Sequence, residues 1–231
     1  MADWANFWDR PNSIYVNNAH LRAHHQRLGD DLLALLAHKP GRKLLDYGCG
    51  EALAAERFCA AGWQVLLYDA SRETQRRLGG RLRGRPGIEV LDDGALAGLA
   101  PGSLDAIVVS SVVQYVAPAA LPGLLRRWRE LLRGGGYLIV ADVIAPDNSA
   151  LADAWTLLGF ARSHGFFQAA LGGLVRMFFS DYRRLRRELG LSTYDAQAFN
   201  ALLSAAGFHA EHLARNPGPN AHRLGFLGRA A

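Results

Sequence analysis

Five carboxylates recur along the chain, each just after a short apolar run: Asp46, Asp69, Asp92 with Asp93, and Asp142. Asp46 leads into Gly48-Cys49-Gly50-Glu51, where two glycines let backbone approach a ligand because they lack a Cβ and tolerate positive φ. Such a turn can cradle a pyrophosphate, but that chemistry asks for Gly-x-Gly-x-x-Gly, and Leu53 stands where the third glycine belongs. Asp46 and Glu51 flank the turn with negative charge, which opposes a pyrophosphate and suits a ligand carrying positive charge at that end. Asp69 lies 23 residues beyond Asp46, near the roughly 20 expected of an acid that binds a ribose diol. An ionised carboxylate only accepts hydrogen bonds and two vicinal hydroxyls donate them, so the match is chemical. Asp93-Gly94 offers an acceptor and a backbone amide to an adenine edge, with Asp92 as the adjacent alternative.

A second group of residues could move or accept protons: Tyr15, His20, His24, Tyr115 and His164. His20 and His24 are spaced i, i+4, so they share one face of a helix, with Arg27 near them. No acidic or cysteine partner accompanies them at ligand spacing, and no metal site is expected. Cys49 reads as a small turn residue rather than a nucleophile.

These residues need elements to position them. Helical spacing of Leu21, Leu28, Leu32, Leu35 and Leu36 predicts a helix from Asn18 to about Ala37, ended by Pro40-Gly41. Strands follow at Lys43 to Leu45, Gln64 to Tyr68, Ile88 to Leu91, Ala106 to Ser110 and Tyr137 to Ala141. Helices alternate with them at about Ala52 to Ala60, on to Leu82, and Pro118 to Leu132, the last stopping at the turn Gly134-Gly135-Gly136. Near-continuous apolar strands alternating with helices indicate a parallel sheet covered on both faces. Ligands of such sheets bind beyond the carboxyl ends of the strands, where Asp46, Asp69, Asp93, Ser110 and Asp142 all fall. The fold class is therefore α/β: a doubly wound, mostly parallel, seven-stranded Rossmann-like sheet. It carries an N-terminal helical cap, a helical insertion after the fifth strand and an antiparallel edge hairpin. That hairpin joins Phe208 to Leu213 with Arg223 to Leu227 through Asn216-Pro217-Gly218-Pro219-Asn220. A helix capped by Thr193 or Asp195 precedes it.

One domain over 1–231 accommodates this, divided into an arm and cap (1–40), a core (41–146), an insertion (147–190) and the last helix with the edge strands (191–231). Half the residues are hydrophobic and a fifth are charged, ordinary for a globular chain with a large core. The net charge of +5 follows from 26 basic against 21 acidic residues and points only weakly to an anionic partner. Arg76, Arg77, Arg81 and Arg83 read as a solvated helix face. Two cysteines, no basic-then-apolar leader at the start and no apolar run of membrane length suit a cytoplasmic protein. Residues 157–187 are apolar and then basic, which admits contact with a membrane surface, although burial or a substrate wall is the preferred reading.

A ligand with an adenine, a ribose diol, and an ammonium and sulfonium in place of phosphates is S-adenosylmethionine. Residues 42–142 resemble the class I S-adenosylmethionine-dependent methyltransferases. Leu44-Leu45-Asp46-Tyr47-Gly48-Cys49-Gly50 looks like their first motif, which holds the methionine part of the cofactor. Asp69 matches their ribose acid and Asp93 their adenine-contacting acid. Ser103 to Ser110 resembles their fourth strand, and Leu131 to Leu138 the turn before their fifth. The resemblance implies a cofactor site from Tyr15, Asp46, Gly48, Cys49, Gly50, Asp69, Ala70, Asp92, Asp93, Gly94 and Ser110. Two departures stand out. Ala52 replaces a third glycine, with little expected change, and Gln114-Tyr115 replaces a histidine pair, so no histidine base arises there.

Methyl transfer to a small molecule is the activity this implies, with S-adenosylhomocysteine as product. His20, His24 and Tyr115 are the candidate bases, and Asp142, Trp155, His164 and Phe167 the candidate acceptor contacts. Phe160, Phe166 and Phe178 would complete an apolar wall. An RNA or protein methyltransferase and a non-catalytic cofactor-binding scaffold are the alternatives. The chain lacks the Asn- or Asp-Pro-Pro-aromatic run that accompanies base methylation, and it keeps Asp46, Gly48, Gly50 and Asp69.

Overall fold

In a computed structural model the described residues are 15–39, 41–147, 150–178 and 190–231, with the side chains of 150–153 and 174–178 left aside. The residues 1–14 of the aromatic arm and the basic run Tyr182 to Arg187 therefore lie outside the described residues, as does the side chain of Phe178. Helix α1 (Asn18–Leu36) leads into β1 (Lys43–Tyr47), α2 (Ala55–Ala60), β2 (Gln64–Tyr68), α3 (Arg72–Arg81) and β3 (Ile88–Val90). Then come α4 (Asp93–Ala97), β4 (Leu104–Ser110), a 3-10 turn (Val113–Tyr115), α5 (Leu121–Leu131) and β5 (Leu132–Val143). The insertion supplies α6 (Ala150–Ser163) and α7 (Phe167–Phe178), and the chain closes with α8 (Ala196–Ala205), β6 (Phe208–His212) and β7 (Leu224–Ala230).

The seven strands form one sheet in the order β3-β2-β1-β4-β5-β7-β6. Strands β1 to β5 pair in parallel, while β7 runs antiparallel to both β5 and β6. The terminal pair does sit at the edge, with β7 inserted next to β5 and β6 outermost. Strand order reverses between β1 and β4, which makes that crevice the topological switch point. Two apolar layers enclose the sheet. Leu28, Leu32 and Leu36 of α1 pack with Phe58, Leu67 and Ile139 on one face, and Trp128 of α5 packs with Phe199, Leu203 and Phe226 on the other.

Several boundaries differ from the sequence expectation, each for a local reason. Strand β5 begins at Leu132 and absorbs the triple glycine, because Leu132 pairs with Leu104 before a bulge shifts the register to Ala106–Tyr137. Helix α2 starts at Ala55 rather than Ala52, because Ala52 takes the left-handed conformation at φ 47° and cannot continue a helix. Helix α4 was not expected. Asp92 caps it, its Oδ1 accepting the Ala95 N–H at 2.7 Å. Asp195 rather than Thr193 caps α8, its Oδ1 accepting the Ala198 N–H at 2.7 Å. The largest difference is the loop before β7. Asn216, Pro217 and Gly218 are buried, not a solvent-exposed hairpin tip. The Gly218 N–H donates to Asp31 Oδ2 at 2.9 Å, which ties this loop to α1.

Candidate active site

The carboxyl end of β1 meets that of β2 through backbone and carboxylate together. The N–H groups of Gly48 and Cys49 both donate to the Tyr68 carbonyl, at 2.7 and 3.0 Å. The Gly50 N–H donates to Asp69 Oδ2 at 3.0 Å, and the Ser71 N–H to Asp69 Oδ1 at 2.9 Å. Asp69 therefore holds the glycine turn as well as standing at the end of β2. Next to Asp69, Ala70 is exposed and Ser71 is fully buried as the N-cap of α3.

Glycine is required twice in this turn for different reasons. Gly48 has φ 78°, and a Cβ there would run into Val112. Gly50 has φ 52°, but a Cβ there would meet nothing within 4 Å. Open space therefore lies directly over Gly50. Ala52 completes the turn in the left-handed region without glycine's freedom, so the expectation of little change needs correction: the alanine carries strain of about 1–2 kcal/mol.

Asp46 is the electrostatic centre of the turn. Burial, reinforced by the Asp69 charge, pushes its carboxyl up to about 7. No hydrogen bond or ion pair compensates it among the described residues, whereas Glu51 pairs with Arg77 at 2.6 Å and Arg81 at 3.8 Å. The two acids expected to act together thus part company. Glu51 is neutralised by α3, and Asp46 faces the turn uncompensated. The same pairs reduce the free charge of the basic face, as does Arg76 with Glu73 at 2.5 Å. Burial, with Asp46 and Asp69 nearby, holds the Cys49 thiol well above its usual range, as befits an inert turn residue.

Further along the sheet edge, Asp93 accepts a hydrogen bond from the Tyr68 hydroxyl at 3.0 Å, and Gly94 follows within α4. Asp93 is thus held by a partner the sequence reading did not identify. Asp92 is committed to its cap. Ser110 ends β4 half-buried, but the next residue makes the side-chain contact: Ser111 Oγ donates to Asp142 Oδ2 at 2.6 Å. Ser111 and Asp142 are both left-handed, at φ 58° and 63°. The Asp142 N–H donates to Asn216 Oδ1 at 2.8 Å, and Arg223 Nε lies 3.9 Å from Asp142 Oδ1. Ser111, Asn216 and Arg223 were missed from sequence. Asn216 lies 74 residues beyond Asp142, and only the fold brings them together.

A ring cluster from α1 stands beside these strand ends. Tyr15 lies 5.2 Å from His20, 5.4 Å from His24 and 5.7 Å from His25 between ring centroids. Its hydroxyl is 3.3 Å from His25 Nε2. His20 Nδ1 accepts the Val16 N–H at 3.4 Å, and its ring stacks on Phe166 at 5.1 Å. Burial pushes His20 down to about 4. Burial, with His25 and His20 nearby, pushes His24 down to about 3. Burial, with Arg81 nearby, pushes His25 down to about 4. All three rings are neutral at pH 7, far from the near-neutral pKa at which a general base works best. Burial raises the Tyr15 phenol, with the Asp142 and Glu51 charges adding to it, so the cluster lies within electrostatic reach of the strand ends. Tyr115 closes the 3-10 turn, half-buried. Among the described residues no group of three or more His, Cys, Asp or Glu is arranged to hold a metal ion.

The insertion divides the expected acceptor contacts. Phe160 and Phe166 pack on His20. Trp155 and Phe167 are 73% and 43% exposed and line no enclosed wall among the described residues. They fall on the outer side because Ala161, Phe166 and Ala170 take the inward positions of α6 and α7. His164 is likewise exposed. Its Nδ1 lies 2.9 Å from the Phe160 carbonyl, which also accepts the His164 N–H at 3.2 Å and the Ser163 hydroxyl at 2.9 Å, so the ring is held against the last turn of α6.

Residues 20–213 match the sequence family described as a methyltransferase domain. The chain is 27% identical over 169 residues to the precorrin-6Y C(5,15)-methyltransferase (decarboxylating) of Mycobacterium tuberculosis, covering 71% of this chain and 42% of that protein. It is 29% identical over 118 residues to the ubiquinone biosynthesis O-methyltransferase of Xanthomonas campestris pv. campestris, covering 49% and 48%. The chain thus spans about half the length of these curated relatives. Its fold is that of the 1,6-didemethyltoxoflavin-N1-methyltransferase of Burkholderia thailandensis, solved with 1,6-didemethyltoxoflavin and S-adenosylhomocysteine. The TM-score is 0.58 at 17% identity, over 93% of this chain and 81% of that one. It is equally that of the magnesium protoporphyrin IX methyltransferase of Synechocystis PCC 6803, solved with S-adenosylmethionine, at TM-score 0.58 and 16% identity over 99% and 89%. With its glycine turn and strand-end acids set in that sheet and the family matched over most of its length, this chain belongs to the class I S-adenosylmethionine-dependent methyltransferases.

Proposed function

We propose that the chain moves a methyl group from S-adenosylmethionine to a small-molecule acceptor, at a site spanning the carboxyl ends of β1 to β5. The observation that carries this reading is Asp46 at the entry to the glycine turn: a carboxylate pushed up to about 7, with no compensating partner among the described residues, in a turn that leaves open space over Gly50. A cationic group in that space relieves the repulsion between Asp46 and Asp69, and the ammonium of the cofactor's methionine part has the right charge. Asp69, which anchors the Gly50 amide, would accept from a ribose diol, and Asp93, steadied by Tyr68, from an adenine amine. The residues present therefore fit the cofactor. Tyr15, Gly48, Cys49, Ala70, Asp92, Gly94 and Ser110 would complete its surroundings.

When bound, S-adenosylmethionine supplies a methyl already activated by its sulfonium, so the protein's contribution is chiefly orientation and exclusion of water. The neutral rings of Tyr15, His20 and His24, backed by Phe160 and Phe166, supply a partly apolar wall for the acceptor. The relatives and structural neighbours are named for precorrin, ubiquinone-biosynthesis, didemethyltoxoflavin and magnesium protoporphyrin methylation, which favours a ring compound here. A decisive first test is thermal unfolding with and without S-adenosylhomocysteine. A ligand that binds only the native state raises the midpoint by mass action, by about 2.7 kcal/mol of stability at a hundredfold excess over Kd. No shift at millimolar ligand would end the proposal.

A further inference from the structure

We propose that the outer edge of β6 is a self-pairing surface: two copies of this chain join β6 to β6, antiparallel about Ala210, into one continuous sheet.

The two edges of the sheet are built differently. Strand β3 is blunted, being 3 residues long with Pro86 just before it. Strand β6 is 5 residues long, Phe208-His209-Ala210-Glu211-His212, with no proline, no lysine and no break in its register with β7. Its hydrogen-bonding phase is fixed at both ends. The Leu213 N–H donates to the Gly225 carbonyl at 2.8 Å, and the Ala231 N–H to the Gly207 carbonyl at 3.2 Å. The main-chain groups of His209 and Glu211 therefore face β7, and those of Phe208, Ala210 and His212 point away from it. Among the described residues nothing pairs with these outward groups. An edge left open in this way is a template for another strand.

The phase also selects the register. A second β6 engages all of the outward residues only when it is antiparallel and centred on Ala210. Phe208 then pairs with the partner's His212, and Ala210 with the partner's Ala210, through about six main-chain hydrogen bonds. The smallest side chain of the strand lies next to the two-fold axis. His209 falls opposite the partner's Glu211 on one face of the sheet, and Glu211 opposite the partner's His209. Charge complements charge at both positions. In its own chain Glu211 stands across from Leu227 and has no ion pair among the described residues, whereas His209 stands across from Arg229. The incoming carboxylate thus meets an imidazole backed by a guanidinium. A neutral imidazole still offers it one N–H. The flank agrees: α8 packs on β6 and contains no charged residue, although Gln197, Ala198, Ala201, Ser204 and Ala205 are exposed. Depletion of charge marks the centre of a protein interface. The two-fold axis reverses strand direction, so the carboxyl-end sites of the two copies open at opposite edges and each is complete within one chain.

The test is sedimentation velocity of the full chain from about 1 to about 200 µM, with Kd expected on the order of 10 µM for so short a ladder. Wild type should pass from 25.2 kDa to twice that mass. His209→Glu opposes two carboxylates across the axis, and Glu211→Lys opposes an ammonium to an imidazole; each alone should weaken self-association by about tenfold or more. Mixed in equal amounts, these two variants should form a heterodimer, because each new charge then faces its complement. Ala210→Pro removes an N–H that the single chain leaves unused, so it should stay folded and be monomeric. Melting temperature is recorded for every variant, and the two charge variants, altered only at exposed positions, carry the test if Ala210→Pro unfolds. A wild type that stays monomeric over the whole range overturns the proposal and leaves the edge to an extended segment of another protein. A dimer that survives both charge variants, or charge variants that fail to associate on mixing, overturns it as well.

Discussion

Replacing Asp46 by asparagine should make the protein more stable and a poorer binder of cofactor at the same time. The Asp46 carboxyl is raised from 3.8 to about 7 in the folded chain. A raised acid means the native state holds an extra proton between those two values, so stability falls as pH rises through that window and is at its lowest above about 7. About three pKa units at 1.36 kcal/mol each set an upper limit near 4 kcal/mol on the cost of the ionised carboxylate. Asp46→Asn removes that cost. Urea denaturation at pH 8 should show the variant more stable by about 2–4 kcal/mol, and the gap should shrink towards pH 4. Titration calorimetry with S-adenosylhomocysteine should show the opposite: affinity lower by about 1.5–3 kcal/mol, the worth of a charge-assisted hydrogen bond. In wild type, affinity should weaken as pH falls below about 7, because the bound ammonium favours the carboxylate and a proton must leave. The variant should show no such slope. A variant that is less stable at pH 8, or one that binds with wild-type affinity and pH dependence, refutes the assignment of Asp46 as the ammonium partner.

Gly48→Ala should lower stability by about 2–5 kcal/mol in denaturant titrations, since its Cβ meets Val112 at a positive φ. Gly50→Ala should cost only the backbone strain, about 1–2 kcal/mol, yet lose S-adenosylhomocysteine binding because its Cβ enters the open cradle. Ala52→Gly should gain about 0.5 kcal/mol, the left-handed strain relieved less the entropy of glycine, read as a small rise in melting temperature. The three lowered histidines act in the sense opposite to Asp46: their contribution is present above about 6.5 and is lost as pH falls towards 4. His24→Phe should reduce that acid sensitivity by up to about 1.4 kcal/mol per pH unit, measured from stability curves between pH 4 and 6.5.

The Asp46-to-Gly50 turn, the strand-end acids and the alternation of strands and helices could be read from the chain because each depends on local chemistry. A run of apolar residues ends, an acid or glycine follows, and the period of the next element changes. What those residues touch was decided elsewhere. Glu51 and Asp46 look equivalent on paper, yet α3 brings Arg77 and Arg81 to one, and nothing comparable reaches the other among the described residues. Asp69 is legible as an acid of the right spacing, but its second duty, holding the Gly50 amide, exists only once β1 and β2 lie side by side. The Asn-Pro-Gly-Pro-Asn run carries every mark of an exposed turn, and the fold buries its first three residues to clamp Asp142. Likewise the periodicity of 150–178 places aromatic residues on helices without saying which face turns inward, so Phe166 packs on His20 while Trp155 meets solvent. Sequence alone determined the sheet, the turn and the family resemblance, since propensity, periodicity and motif spacing act over a few neighbouring residues. Tertiary structure alone decided which carboxylates are neutralised, which histidines stay uncharged and which loop holds Asp142. Charge compensation and burial are set by partners tens of residues away, and no local pattern encodes them.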